Sequence, residues 1–332
     1  MKIGIIGPPQ TGKTSIFKIL LDKSDISTNI GVFRPSDPRI EQIAGVVSSK
    51  KKTYPELTFV DIGSIKDFNR KDVSGLGDTD LFISVIGSFF SEDPKKDFDS
   101  LITDLVVHDL EVVQNRIERI KKESARNNSE QEIALLEKYQ AHLSEGKLLS
   151  KLKAGEGDSS LLSGLLLLSQ IPLILAINSS ESDIGKKIDP LKEYVESINI
   201  PYVIFFGKEE LDLLGLEKDE REKFLKELGD SYTFKEDISR LIFKELNLIT
   251  FFTAAENETR GWYLKKDLPA LEAAGKVHSD IKRGFIRAEV LNCKDFLECG
   301  SMHNAREKGL LRLEGKEYII KDGDIINIRF SV

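Results

Sequence analysis

The stretch GPPQTGKTS, Gly7 to Ser15, constrains this chain more than any other. It fits G-x-x-x-x-G-K-[ST] and stands between the apolar run KIGII (residues 2–6) and the helix-like run SIFKILL. A glycine-rich loop between a strand and a helix wraps an anion with its backbone N–H groups, and the helix start adds the positive end of its dipole. Lys13 is placed to neutralise the terminal phosphates of a nucleoside triphosphate, and the Thr14 hydroxyl to ligate Mg²⁺. The residues assigned to the phosphates are Gly7, Pro9, Gln10, Thr11, Gly12, Lys13, Thr14 and Ser15. Asp61, closing the apolar run LTFVD, is the matching carboxylate for a magnesium water, so Thr14 and Asp61 form the metal assignment.

Further short apolar runs at Leu57–Val60, Leu81–Ile86, Leu173–Ile177 and Tyr202–Phe206 alternate with polar or helical segments. That rhythm predicts an α/β fold with a mostly parallel sheet covered on both faces. It breaks between residues 101 and 165, where charged sequence carries Val113, Ile117 and Ile120, then Ile133, Leu136, Tyr139 and Leu143, at helical spacing. ARNNSE between the two runs reads as a turn, with Ser129 capping the second helix. An antiparallel helical hairpin projecting from the nucleotide domain is the reading; two surface helices folded onto the sheet are the alternative. From Leu248 onward, short alternating strands and turns such as LEGKEYIIKDGDIINIRF mark a small α+β domain. The expected division is residues 1–100 with 166–247 for nucleotide binding, 101–165 for the hairpin and 248–332 for the C-terminal domain.

A chain of 332 residues exceeds one ordinary core, in line with several domains. No apolar run approaches the 18 or more residues of a membrane helix, so no membrane partner is expected. The start, MKIGIIG, reads as a strand rather than a secretory leader, and two cysteines, Cys293 and Cys299, give no disulfide framework; a cytoplasmic location is expected. The net charge of −7 argues against a nucleic-acid grip over the whole surface but leaves room for a local basic face.

The phosphate loop, the Asn178-x-x-Glu181 sequence after the fourth strand, the hairpin and the C-terminal domain together resemble one family. It is the Obg-like ATPases of YchF type, within the translation-factor-related P-loop NTPases. LITFFTAAENETRGWYL, AAGKVHSDIKRGFIRAEV and LRLEGKEYIIKDGDIINIRFSV look like the TGS domain, a β-grasp module, that ends those proteins. DPRIEQIAGVV and FVDIG are similar to the family's second-strand region and metal-site strand. The resemblance implies a purine nucleotide as ligand, Mg²⁺ as cofactor, and a ribosome or RNA partner met through the TGS domain and the hairpin.

It also implies a base site at Asn178, Glu181, Phe206 and Gly207. In Asn-Lys-x-Asp GTPases the aspartate accepts two hydrogen bonds from guanine. Glu181 is a methylene longer, which weakens guanine selection, and the family's Asn-x-x-Glu goes with ATP; ATP is favoured, with GTP the alternative. Asn178 is expected to reach purine N7. Departures gather in the catalytic parts. The first switch is reduced to DKSDISTNIG, with Thr28 a candidate by residue type only. Asp-Ile-Ala-Gly reads Asp61 to Ser64 (DIGS), with Gly63 one position early and Ile65 keeping the family's hydrophobic character. The helix expected near GLGD, Gly75 to Asp78, has no room, Gln10 replaces Asn, and Phe206-Gly207 replaces Ser-Ala. No catalytic residue is assigned. The reading is an ATP-preferring nucleotide-binding protein with slow or partner-dependent hydrolysis of the β-γ phosphoanhydride; a degenerate NTPase serving as an interaction module, or a regulatory GTPase, stands beside it.

Four other features suit structural roles. Cys299 and His303 have the spacing of two helix-borne metal ligands, but two ligands make no site and packing is expected. His278 suits a turn or packing, Trp262 a packed aromatic rather than a base-stacking platform, and Lys50–Lys52 a solvated loop, with contact to RNA phosphate the alternative.

Overall fold

The computed structural model describes residues 1–23, 28–63, 76–89, 91–122, 129–153, 155, 158–162, 164–183, 185, 187–216, 220 and 234–331. From the N-terminus, β1 (Lys2–Ile6) leads through the phosphate loop into α1 (Lys13–Leu21). There follow β2 (Ile30–Phe33), α2 (Pro38–Val47), β3 (Lys52–Thr53), β4 (Leu57–Gly63) and β5 (Leu81–Gly87). Helices α3 (Pro94–Lys122), α4 (Ser129–Ser144) and α5 (Asp158–Leu161) precede β6 (Leu173–Asn178), α6 (Asp189–Ser197), β7 (Tyr202–Phe205), α7 (Gly207–Leu214) and α8 (Phe234–Glu245). The C-terminal part runs β8 (Leu248–Ala254), β9 (Thr259–Lys265), α9 (Ala270–Val277), α10 (Ser279–Arg283), β10 (Phe285–Asn292), α11 (Cys293–Cys299), α12 (Met302–Glu307), β11 (Arg312–Glu314) and β12 (Asp324–Phe330).

The chain divides into two compact units, Met1–Val32 with Thr58–Leu241, and Phe33–Leu57 with Ile242–Val332. In the first, a six-stranded sheet has the order β2-β4-β1-β5-β6-β7, and the pairs β1–β4, β1–β5, β5–β6 and β6–β7 are parallel. Every residue of β5 and β6 is buried, as strands covered on both faces require. Register places the functional positions together. Ile5 pairs with Asp61, Ile6 with Ser84, Gly87 with Asn178, and Asn178 with Phe205, so the carboxyl ends of β1, β4, β5, β6 and β7 share one edge. Ligands of open parallel sheets bind at that edge.

The hairpin helices join the same core. Phe98, Leu101, Ile102 and Leu105 of α3 cluster with Phe82 and Ile86 of β5, while Val113, Ile117 and Ile120 continue that cluster with Leu136, Tyr139 and Leu143 of α4. Helix α3 thus starts on the sheet, ahead of residue 101, and its later turns pack on α4, where Arg116 Nη2 meets Glu132 Oε1 at 2.5 Å. One buried carboxylate fastens α3 to the approach to β6: Asp109 accepts from Leu168 N (2.8 Å), Ser169 N (2.7 Å) and Ser169 Oγ (2.6 Å). Full pairing of this kind offsets the cost of burying a polar group. The turn ARNNSE (125–130) lies largely outside the described residues.

The second unit holds a mixed sheet of order β11-β10-β12-β8-β9-β3. The β8–β9 hairpin is antiparallel, β12 runs parallel to β8, and β10 is antiparallel to β12, a β-grasp arrangement. Helix α9 covers one face, with Ala270 and Ala273 against Ile249, Phe251 and Val290. The other face is covered by α11 and by α2, whose Ile40 and Ile43 cluster with Phe252, Leu291, Phe296 and Ile325. Residues 33–57, which sequence order assigns to the nucleotide domain, therefore belong to this second core. The reason is physical: α2 is amphipathic, and its fully buried isoleucines each contribute about 1.5–3 kcal/mol where they find an apolar partner. Arg39 secures the placement by bonding Asp37 at 2.8 Å and Asp322 at 2.6 Å beneath the Phe252 ring.

Candidate nucleotide-binding site

The phosphate loop connects β1 to α1 with a backbone that its sequence permits. Gly12 has φ 98°, a left-handed conformation that glycine adopts without the Cβ penalty. Gln10 has φ 63° and bears that penalty. No side chain caps the first turn of α1, which leaves its N–H groups to an anion. The Lys13 ammonium folds back over the loop and donates to the carbonyls of Pro8 (2.7 Å) and Gly7 (3.0 Å), and Thr11 Oγ1 donates to Pro8 O at 3.0 Å. A lysine resting on loop carbonyls is positioned to exchange them for phosphate oxygens. Pro9, Gln10 and Thr14 are exposed, and Ser15 half-buried, at the loop rim and helix start. Asp61 is half-buried two residues before the end of β4, and Gly7 N donates to Gly63 O at 3.3 Å. An open helix start, a lysine over the loop and an acid on the adjacent strand suit a triphosphate with Mg²⁺.

The base residues named from sequence meet the phosphate loop through Asn178. This side chain is 2% exposed; Nδ2 donates to Thr11 O (3.1 Å) and Oδ1 accepts from Gly207 N (3.0 Å). One amide thus joins the end of β6 to the phosphate loop and to the start of α7. A Cβ at Gly207 would lie 2.7 Å from Asn178 Oδ1, which explains glycine there. Phe206 is half-buried beside it, at the N-cap of α7. Glu181 opens a short 3₁₀ turn, Glu181–Asp183; its side chain lies outside the described part of the structure.

Of the switch positions, Thr28 is exposed and donates its hydroxyl to Ile30 O at 2.8 Å. Ser64, Ile65 and Gly75 lie outside the described residues, whereas Leu76 to Asp78 form a turn before β5. Sequence reasoning passed over Ser88 and Asp183. Ser88 follows β5 and is wholly buried, and its Oγ donates to Asp183 Oδ2 at 2.8 Å.

The remaining features take structural parts. Trp262 lies between the Phe251 ring (centroids 6.3 Å apart) and the Arg260 guanidinium (4.1 Å), and Nε1 donates to Thr253 Oγ1. His278 Nδ1 accepts from Asp280 N in a helix cap. Cys299 is buried in the second core, and His303 pairs with Glu307. Lys51 meets Glu258 at 3.2 Å, and Lys52 bonds Glu41. Among the described residues no helix is long and apolar enough to cross a membrane.

Comparison with known proteins places this arrangement. The family model YchF-GTPase_C, described as "Protein of unknown function (DUF933)", matches residues 248–331. The ribosome-binding ATPase YchF of Bacillus subtilis (strain 168) is 30% identical, with 99% of this chain and 99% of that protein covered. The chain belongs to the YchF family. A second relative, the ribosome-binding ATPase YchF of Buchnera aphidicola subsp. Schizaphis graminum, is 31% identical over 100% of this chain and 99% of its own length. Among solved structures, the Schizosaccharomyces pombe YchF GTPase matches with a TM-score of 0.88 at 23% identity, covering 99% of this chain and 97% of that one. A GTP binding protein from Pyrococcus horikoshii OT3 matches at 0.64 and 20%, over the full length of both. These two establish the fold: a P-loop sheet with an inserted helical hairpin and a C-terminal β-grasp domain, shared with the YchF GTPase.

Proposed function

We propose that this YchF-family chain binds a purine nucleotide with Mg²⁺, prefers ATP to GTP, and acts on the ribosome in the cytoplasm, with hydrolysis that is slow until a partner completes the site. The observation that carries the reading is the Asn178 amide, bonded at once to Thr11 O in the phosphate loop and Gly207 N beside the base position. It makes phosphate loop and base loop parts of one site. Lys13 would hold the β- and γ-phosphates, the first turn of α1 would supply N–H donors, and Thr14 with Asp61 would hold the metal. When bound there, the metal would supply neutralisation of phosphate charge. Asn178 and the Glu181 turn read the purine. The ATPase activity and the ribosome belong to the relatives' names and come to this chain through the full-length likeness.

Slow turnover follows from what the site offers the transition state. Contacts equal in ground and transition states do not accelerate chemistry. Thr28, the one threonine near a first-switch position, spends its hydroxyl on Ile30 O, within its own segment. On this reading the described residues offer the γ-phosphate no first-switch hydroxyl that tightens during transfer. A cation supplied by a partner can raise such a rate by roughly 10³–10⁵. The test is single-turnover hydrolysis of ATP and GTP by the full chain, without and with ribosomes. The reading expects slow turnover of ATP that ribosomes stimulate. Rapid turnover by the chain alone would remove the partner requirement, and no stimulation would leave a nucleotide-stabilised binding module.

A further inference from the structure

Strand β6 holds its end residues by backbone pairing, and that support stops at Ser179. Ser88 N donates to Asn178 O at 2.9 Å and Ser179 N to Phe205 O at 3.0 Å. Beyond them the chain leaves the sheet with no ladder to fix it, and fixing each backbone residue costs about 1–2 kcal/mol. Side chains take over at that point. Asp183 Oδ2 accepts from Ser88 Oγ (2.8 Å) and Ser180 Oγ (3.2 Å), and Asp183 N donates to Ser180 O (3.1 Å). Lys187 Nζ donates to Ser88 O at 3.1 Å and stands 4.0 Å from Asp183 Oδ1. Ser88 itself is wholly buried and follows Gly87, the β5 partner of Asn178. The turn that carries Glu181 is thereby fastened to the sheet edge beside the phosphate loop.

We infer that Asp183 is a positioning residue for purine selection: gripped by the Ser88 and Ser180 hydroxyls, it fixes the Glu181 turn relative to Asn178, and it rests on the base-reading role given to this loop above. Asp183 does not read the base itself. Its Oδ2 already receives two hydroxyls, its Oδ1 faces Lys187, and its side chain is 19% exposed. A carboxylate suits the task because it only accepts and can serve both hydroxyls at once, in charge-assisted bonds stronger than neutral ones. The hydroxyl-to-carboxylate link spans 95 residues of sequence, from the end of β5 to the loop after β6.

The test is equilibrium titration of ATP, GTP and inorganic tripolyphosphate, each with Mg²⁺, into the full chain as wild type, Asp183→Ala, Ser88→Ala and the double variant. Tripolyphosphate reports the phosphate loop alone. The ATP-to-GTP affinity ratio is expected to fall about tenfold in Asp183→Ala, the scale of one charge-assisted hydrogen bond, while tripolyphosphate binding holds. Ser88→Ala, the milder change should Asp183→Ala fold poorly, is expected to lower the ratio in the same direction. The double variant should match Asp183→Ala rather than multiply the two effects, because both remove one interaction. A wild-type preference that survives both single variants would overturn the positioning role and leave base reading intact. Equal loss for tripolyphosphate and nucleotides would overturn it by showing a general structural role. Wild-type binding that ignores the base would remove the base-reading function first and this inference with it.

Discussion

The phosphate loop and the base loop lie on neighbouring strand ends yet are built by different means. From Gly7 to Lys13 the cradle is backbone: a left-handed glycine, an uncapped helix start and a lysine lying on two carbonyls. From Asn178 to Asp183 the loop is held by side chains bonded to distant partners, Thr11, Gly207 and Ser88. Backbone conformation dictates residue type at fixed spacing, so the first region leaves a motif. Hydroxyl, amide and carboxylate contacts can be exchanged among residue types, so the second can drift while keeping its place. The difference predicts that changes in the cradle weaken all nucleotides alike and that changes in the base loop alter which nucleotide is preferred.

The largest expected effect lies in the cradle. Lys13→Ala should weaken ATP, GTP and tripolyphosphate alike by about a hundredfold, from losing charge-assisted bonds to phosphate. Titration calorimetry reads this, and unchanged affinity would remove the phosphate-loop assignment. Asn178→Ala sits on the border. It strands Thr11 O and Gly207 N and should cost about 2 kcal/mol in stability, read by urea unfolding, with ATP and GTP both weakened. A loss confined to base preference would show that the two loops are not mechanically joined.

Smaller effects sharpen the contrast. Glu181→Asp shortens the carboxylate by a methylene and should shift preference towards GTP by about tenfold, measured by competition between labelled ATP and GTP. A uniform change in both affinities would place Glu181 with the cradle instead. Gln10→Asn puts a residue better suited to φ 63° into the loop and should raise stability by about 0.5 kcal/mol in thermal unfolding. A destabilised variant would mean that the glutamine side chain has a role in the loop.

What was legible in the sequence follows the same division. The phosphate loop could be read because its backbone geometry leaves few residue choices, and the parallel sheet because β5 and β6 are largely apolar runs, with Ser84 inside β5 and Asn178 closing β6. The helical period of α3 and α4 was visible, but not that α3 begins at Pro94 and packs Phe98 and Leu101 on the sheet. DPRIEQIAGVV displays an apolar face at Ile40 and Ile43, and nothing local says which core will take it; the β-grasp unit does. Ser88 and Asp183 gave no signal, since a serine after one strand and an aspartate in a loop after another carry no shared spacing.

The central claim is that one site, joined by Asn178, grips phosphates through backbone and Lys13 and selects the purine through the loop after β6. Its most direct test is a calorimetric titration of ATP and GTP, each with Mg²⁺, into the full wild-type chain under identical conditions. The account predicts saturable binding of both with ATP the tighter. Binding of neither nucleotide, or a preference for GTP, would contradict it.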